Sequence, residues 1–274
     1  MFRYRKPMRG PIRLSFVIPA YNEERYLGGC LESILSQTRD LTVPTEIIVV
    51  NNASTDNTRQ VALSYPGVRV VDEPRKGLTC ARQAGFAASS GSLIANVDSD
   101  CRLTPGWITR VLAEFDSEPT LAAFSGPLVY YDLTPQQRTL VRVFYMTAFL
   151  TYVINRHILR VGSMVQGGNF VLNRCALEVI GGFNLNISFY GEDTDIARRL
   201  NAVGKVRFSF NLKMFSSARR LKHEGILTIA ARYSINYLWT IFLKRPFSQS
   251  HIDIREQDSP KQELRVATSI GPKE

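Results

Sequence analysis

Apolar positions in the first hundred residues come in short dense runs separated by amphipathic stretches. Leu14 to Ile18 reads as a buried strand ended by Pro19, after which Leu27, Leu31, Ile34 and Leu35 recur at helical spacing. Glu46 to Val50, Val68 to Val71 and Leu93 to Val97 read as further strands, with helical segments over Thr58 to Ser64 and Leu78 to Ala88 between them. Strand and helix in alternation predict an α/β fold, a mostly parallel sheet flanked by helices on both faces. Ligands in such sheets bind at the carboxyl ends of the strands. The residues just past each run are polar: Ala20-Tyr21-Asn22-Glu23, Asn51-Asn52-Ala53-Ser54, Asp72-Glu73 and Asp98-Ser99-Asp100. All four segments are expected to line one crevice.

The second half is less regular. Arg138 to Arg160 is helical in pattern, and its uninterrupted apolar or small core, Val143 to Ile154, is shorter than the ~20 residues a bilayer span requires. It reads as a helix packed on the sheet or in an interface, with an interfacial membrane helix as the alternative. Ile226 to Leu243 is a second such segment, carrying Tyr233, Tyr237, Trp239 and Phe242 and followed by Lys244-Arg245-Pro246. Aromatic residues beside a basic end suit a membrane interface, and a docking helix has the same pattern. From Ser248 onward the chain is polar and is expected to be a loose tail.

Composition narrows the class. The chain has 274 residues, 45% hydrophobic and 21% charged, enough for one large or two small globular units. Four cysteines without a C-x-x-C pair and a basic start without an apolar run indicate neither a disulfide framework nor a secretory signal, so the cytoplasm is the expected compartment. Net charge is +10, and Ile196 to His223 holds eight Lys or Arg and no Asp or Glu. That excess favours an anionic partner such as a pyrophosphate or an anionic membrane surface, unless it is only a solvated basic face. Nucleic acid is not expected, because no helix-turn-helix, zinc finger or RNP-type motif accompanies the charge.

Asp98-Ser99-Asp100 carries the most chemistry. Two carboxylates at a strand end form a hard-oxygen site for Mg²⁺ or Mn²⁺ bearing a diphosphate, although Asp-rich surface turns share the pattern. Val17-Ile18-Pro19-Ala20-Tyr21-Asn22-Glu23-Glu24, the Asn51 to Thr58 loop and Asp98-Ser99-Asp100 follow one another in an order that resembles glycosyltransferase family 2, over about Arg13 to Val203. The resemblance implies a GT-A fold, in which the Rossmann-like sheet is joined by C-terminal acceptor-side helices. It also implies a nucleotide-diphospho-sugar donor, with a UDP-sugar favoured, and inversion at the anomeric carbon. On that reading 1–12 is a basic N-terminal segment and 13–130 the nucleotide-sugar-binding half. Residues 131–247 form the acceptor-binding half, and 248–274 the polar tail.

The resemblance also distributes roles. Pro19, Ala20 and Tyr21 form the floor beneath base and ribose; Glu23 accepts from ribose hydroxyls, or caps the next helix. Asn52 stands where the family often has a carboxylate that reads uracil, and its amide can still read a base edge. Asp56, with Ser54, is expected to cap the helix near Asn57. Lys76 and Arg82 fall where basic residues approach base and diphosphate. Asp100 is the direct metal ligand and Asp98 binds ribose or shares the ion, while Cys101 is too soft to join them. In Gly191-Glu192-Asp193-Thr194-Asp195, Asp193 is the general base and Glu192 orients a sugar hydroxyl. Gly168 and Asn169, within Gln166-Gly167-Gly168-Asn169, shape the donor sugar pocket; His223 is a further metal ligand or merely structural.

A hydroxyl acceptor completes the reaction, with a lipid-linked or membrane-proximal one preferred. Two other classes compete. A non-catalytic nucleotide-sugar or membrane-surface binding module requires a defective base or metal site, and the acids for both are present. A nucleotidyltransferase needs a Gly-rich phosphate loop after the first strand, which Pro19-Ala20-Tyr21-Asn22 is not.

Overall fold

The computed structural model describes residues 12–154, 164–187, 189–243, 245 and 247. The expected basic N-terminal segment, the end of the Arg138 to Arg160 helix, Lys244, Pro246 and the polar tail lie outside them, except for residue 12. In chain order the elements are β1 (Leu14–Ala20), α1 (Leu27–Thr38), β2 (Thr45–Asn51), α2 (Thr58–Leu63), β3 (Val68–Asp72), α3 (Leu78–Ala88), β4 (Leu93–Val97), β5 (Cys101–Leu103), α4 (Trp107–Ser117) and β6 (Leu121–Ser125). Then follow β7 (Leu128–Tyr130), α5 (Pro135–Val153), β8 (Asn169–Asn173), α6 (Arg174–Val179), α7 (Glu192–Asn201), β9 (Lys205–Phe208), β10 (Met214–Ser216), α8 (Arg219–Glu224) and α9 (Ile226–Leu243).

The main sheet runs β3-β2-β1-β4-β8-β6-β9. β3, β2, β1 and β4 are parallel, β8 is antiparallel to both β4 and β6, and β9 is parallel to β6. Pro19 does not end the first strand, which continues to Ala20. Pairing of β1 with β4 stops at Val17, so Pro19, which has no N–H to donate, sits beyond that ladder and pairs only toward β2.

The two-residue period of the strands sorts side chains into two cores. Phe16, Ile18, Val49, Ala95 and Val97 face α1 and α4, whereas Val17, Ile48, Val50 and Ile94 face α3, α6 and α7. Each fully buried Leu, Ile or Phe contributes about 1.5–3 kcal/mol through removal from water. Gly85 lets α3 lie directly on β1, since a Cβ there would fall 2.2 Å from Val17 Cγ1. That close seat fixes where α3 presents Arg82.

A three-stranded sheet, β5-β10-β7, and a satellite cluster of Leu133, Val141, Ala218, Leu221 and Ile229 join α5, α8 and α9 over the carboxyl ends of the strands. α5 begins with a complete capping box between Thr134 and Gln137. α9 has a mean hydropathy of 1.2 over its 18 residues, long and apolar enough by composition to cross a membrane. Leu238, Trp239 and Phe242 on α9, like Val143, Met146 and Leu150 on α5, are exposed large apolar side chains.

Candidate active site

A cleft of about 320 Å³ opens at the carboxyl ends of the strands, and its wall includes Pro19, Arg82, Asp98, Asp100, Gly167, Glu192, Asp193 and Arg219. The metal pair and the acidic motif expected from sequence therefore share one cavity, although they lie far apart in the chain.

Arg82 is the hub. It is fully buried, donates from Nη2 to Asp98 Oδ1 at 3.1 Å and from Nη1 to Glu192, and stacks over Phe170 at 5.0 Å. Burial opposes its charge, and Glu192 and Asp98 more than restore it, so its pKa is raised. Burial pushes Glu192 up to about 7 even though Arg82 pulls the other way, and Glu192 Oε2 has no hydrogen-bond partner among the described residues. Asp193 is half-buried at the cleft wall and is also raised by burial, against the backbone N–H groups of Thr194 and Gly167 that favour its charged form. A side chain at Gly167 would lie 3.7 Å from both Asp193 Oδ2 and Glu192 Oε1. At Gly168, with φ of +78°, a Cβ would fall 2.6 Å from Asp98 Oδ2. Gly168 lets the β8 entry loop press against Asp98, whereas a Cβ at Gly167 would make only ordinary contact with the acids of α7.

The three acids opening α7 divide their labour. All complement the helix dipole. Asp195 is spent on Arg198 at 2.9 Å and Arg199 at 2.7 Å, whereas Glu192 faces Arg82 and Asp193 faces the cleft.

Several expected roles are revised by the geometry. Asn169 is fully buried and does not line the cleft. Its amide accepts from Trp107 Nε1 at 3.0 Å and donates to the carbonyls of Gly126, Pro127 and Leu212, pinning β8 to the loops above α4 and β6. Asn52 is similarly committed, donating to the carbonyls of Glu73 and Arg75 and accepting from Gly77 N at 2.8 Å. It braces the loop that starts α3 instead of presenting its amide to a base. Glu23 is buried and its carboxylate is held by Arg219, while its backbone carbonyl receives the N–H of Tyr26 and Leu27 at the start of α1. The capping role thus belongs to its backbone. Asp56 does receive Thr58 N, at 2.9 Å, but Ser54 receives Asn22 N and ties the first loop to the second.

Ala20, Tyr21, Glu23, Asn52 and Lys76 stand beside the cleft, not on its wall. Lys76 Nζ donates to Tyr21 OH at 2.7 Å, closing the outer edge of the first loop. His223 is exposed on α8, one helical turn after Arg219, and is not on the cleft wall. Among the described residues no group of three His, Cys, Asp or Glu is placed to hold a metal ion by itself.

The basic run between Ile196 and His223 is not a free basic face. Arg198 and Arg199 pair with Asp195, Lys205 with Glu118, Arg207 with Glu114, Arg219 with Glu23 and Asp100, Arg220 with Glu224, and Lys222 with Asp132. Seven of its eight basic side chains thus face acids, Asp195 and Glu224 at the edges of the run and the others from distant parts of the chain, while the net charge of the chain stays +10.

Sequence reasoning did not foresee the far end of the cleft. Beyond Asp193 the wall becomes apolar and aromatic, with Val141, Phe144, Tyr145, Tyr190, Ile229 and Tyr233 from α5, the α7 approach and α9. The only local signal was the apolar character of the two helical segments.

Comparison with known proteins identifies the family and the fold. Residues 15–181, more than half the chain, match the family model described as Glycosyl transferase family 2. Chondroitin synthase of Pasteurella multocida (strain Pm70) is 36% identical over 113 residues, covering 40% of this chain and 11% of that protein. Among solved structures, a mannosyltransferase from Pyrobaculum calidifontis in complex with GDP-Man and Mn²⁺ superposes with a TM-score of 0.62 at 18% identity, over 89% of this chain and 66% of that one. Glucosyl-3-phosphoglycerate synthase from Mycobacterium tuberculosis, with Mn²⁺, UDP and phosphoglyceric acid, gives 0.58 at 20% identity, over 87% and 84%. The fold is the GT-A fold of glycosyltransferases, a mostly parallel sheet flanked by helices. The chain belongs to glycosyl transferase family 2, and it spans only about a tenth of the chondroitin synthase it matches.

Proposed function

We propose that the chain is an inverting, divalent-cation-dependent glycosyltransferase that moves a sugar from a nucleotide-diphospho-sugar, a UDP-sugar being favoured, to a hydroxyl acceptor. One observation carries the reading: Asp98 and Asp100 stand in the same cleft as Asp193 and Glu192, joined through the buried Arg82. The Mn²⁺ and nucleotides named with the solved relatives support it.

The donor set fits a hard cation. Asp98 and Asp100 offer carboxylate oxygens, this corner already attracts two guanidinium groups, and the buried Cys101 thiol is pushed far up and stays protonated. Remaining ligands come from the diphosphate. When bound, the cation neutralises charge on the departing diphosphate. Arg82 fixes Asp98 and Glu192 relative to one another. Glu192, neutral over part of the working pH range, orients a sugar hydroxyl by donating or accepting a hydrogen bond. Asp193 takes the acceptor hydroxyl proton as that oxygen attacks the anomeric carbon from the face opposite the diphosphate, and its raised pKa makes it a stronger base than an exposed Asp. Arg219 and Arg220, at the cleft wall, pair with diphosphate oxygens.

A lipid-linked acceptor is supported by the apolar wall beyond Asp193 and by the exposed apolar residues of α5 and α9, which suit a peripheral position at the inner face of a membrane. The test is release of nucleoside diphosphate from a panel of UDP- and GDP-sugars with Mn²⁺, for the wild type and Asp193→Asn. Cation-dependent release that falls about 10²–10⁴-fold in the variant is expected. No release from any donor, together with no donor-induced thermal shift, contradicts the reading.

A further inference from the structure

Arg219 opens α8, yet its guanidinium reaches two loops that precede it by 119 and 196 residues. Nε donates to Asp100 Oδ2 at 3.2 Å, Nη2 donates to Glu23, and the group lies 4.5 Å over the Tyr26 ring. Only 12% of the Arg219 side chain is exposed, against 17% for Asp100 and 0% for Glu23. The guanidinium bridges two carboxylates through different nitrogens, so it can give up Asp100 while staying paired with Glu23. Its Nε shares Asp100 with any divalent cation that this carboxylate ligates.

We infer that Arg219 is a tethered counter-cation of Asp100, a positioning residue that keeps the acidic loop in register until a divalent cation displaces it. The inference rests on the assignment of Asp100 as a metal ligand. Displacement has two consequences. It loosens the first turn of α8, whose remaining anchors are the Arg219 contact to Glu23, the Ala218 N–H to Asp132 at 2.7 Å and Leu221 in the satellite core. It also frees a guanidinium at the cleft wall, where a diphosphate offers paired oxygens. Cation entry and donor capture are thereby coupled through one side chain.

The experiment titrates Mn²⁺ alone, with no nucleotide, into the full chain and follows free Mn²⁺ by electron paramagnetic resonance. Wild type, Arg219→Ala and Arg219→Lys are compared, with circular dichroism to check folding. If the guanidinium occupies Asp100 in about nine molecules of ten, Arg219→Ala binds Mn²⁺ about tenfold more tightly, and Arg219→Lys falls between the two. Equal or weaker binding by the alanine variant overturns the inference. Should that variant fail to fold, hydrogen exchange of the wild type decides: Mn²⁺ alone speeds exchange over 217–224, and unchanged exchange there overturns the inference. A wild type that shows the Mn²⁺ effects but releases no nucleoside diphosphate from any donor refutes the transferase reading and leaves this inference standing.

Discussion

Glu192→Gln is expected to stabilise the folded chain above neutral pH and to leave it nearly unchanged near pH 4.5. Glu192 is 7% exposed, and burial raises its carboxyl from an ordinary 4.5 to about 7 despite the neighbouring Arg82. A raised acid means that the folded chain binds more protons than the unfolded chain between those two values. Stability therefore falls as pH rises through that window. The shift corresponds to about 3 kcal/mol once the group is fully ionised. Glutamine has the shape of the protonated acid and still bonds to Arg82, so the variant escapes the penalty. Urea unfolding of both proteins from about pH 4.5 to about pH 8 reads the difference. It should grow from near zero to about 3 kcal/mol in favour of the variant. Acids with lowered values, such as Glu118 at about 2 and Asp72, act in the opposite sense and below this window, and they cancel between the two proteins. A difference that stays flat across the window, or that grows as pH falls, refutes the reasoning.

Three further outcomes are expected. Asn169→Leu removes the bonds to Trp107 and to three loop carbonyls and should destabilise by about 2–4 kcal/mol in the same urea assay, because those buried groups lose their partner. Gly168→Ala combines a φ of +78° with a Cβ 2.6 Å from Asp98 Oδ2. It should weaken Mn²⁺ binding by calorimetry, with a stability loss of about 1–3 kcal/mol. Paired charges on the exposed residues of α5 and α9, Leu150→Asp with Leu238→Asp, should abolish co-sedimentation with vesicles and leave the unfolding midpoint unchanged, since both residues are exposed.

The N-terminal half was legible because its signals are local. β4 and α3 fall where the apolar periodicity placed them, and β1, β2, β3 and α2 differ only at their ends. The same runs put polar loops at the strand ends, and the acids of Asp98-Ser99-Asp100 and Glu192-Asp193 meet in one cleft. What escaped were pairings set by distant parts of the chain. Antiparallel β8 inserted beside β4, three-residue strands such as β5 and β10, and the burial of Asn169 under Trp107 leave no periodic trace. The pairing of the basic run was hidden for the same reason. Its partners Glu114, Glu118, Asp132, Asp100 and Glu23 precede it by tens to nearly two hundred residues, so a solvated patch and a set of ion pairs look alike in sequence. Asn52 and Glu23 carry donor-binding chemistry in their side chains, yet their neighbours Arg75, Gly77 and Arg219 draw them into bracing.

The most direct measurement is a crystal structure with Mn²⁺ and UDP, read by the anomalous signal of manganese. The ion should lie on the Asp100 carboxylate with the diphosphate beside it, Arg219 withdrawn from Asp100, and Asp193 facing the pair across the cleft. Manganese or nucleotide bound on any surface away from Asp193 contradicts the proposed transfer.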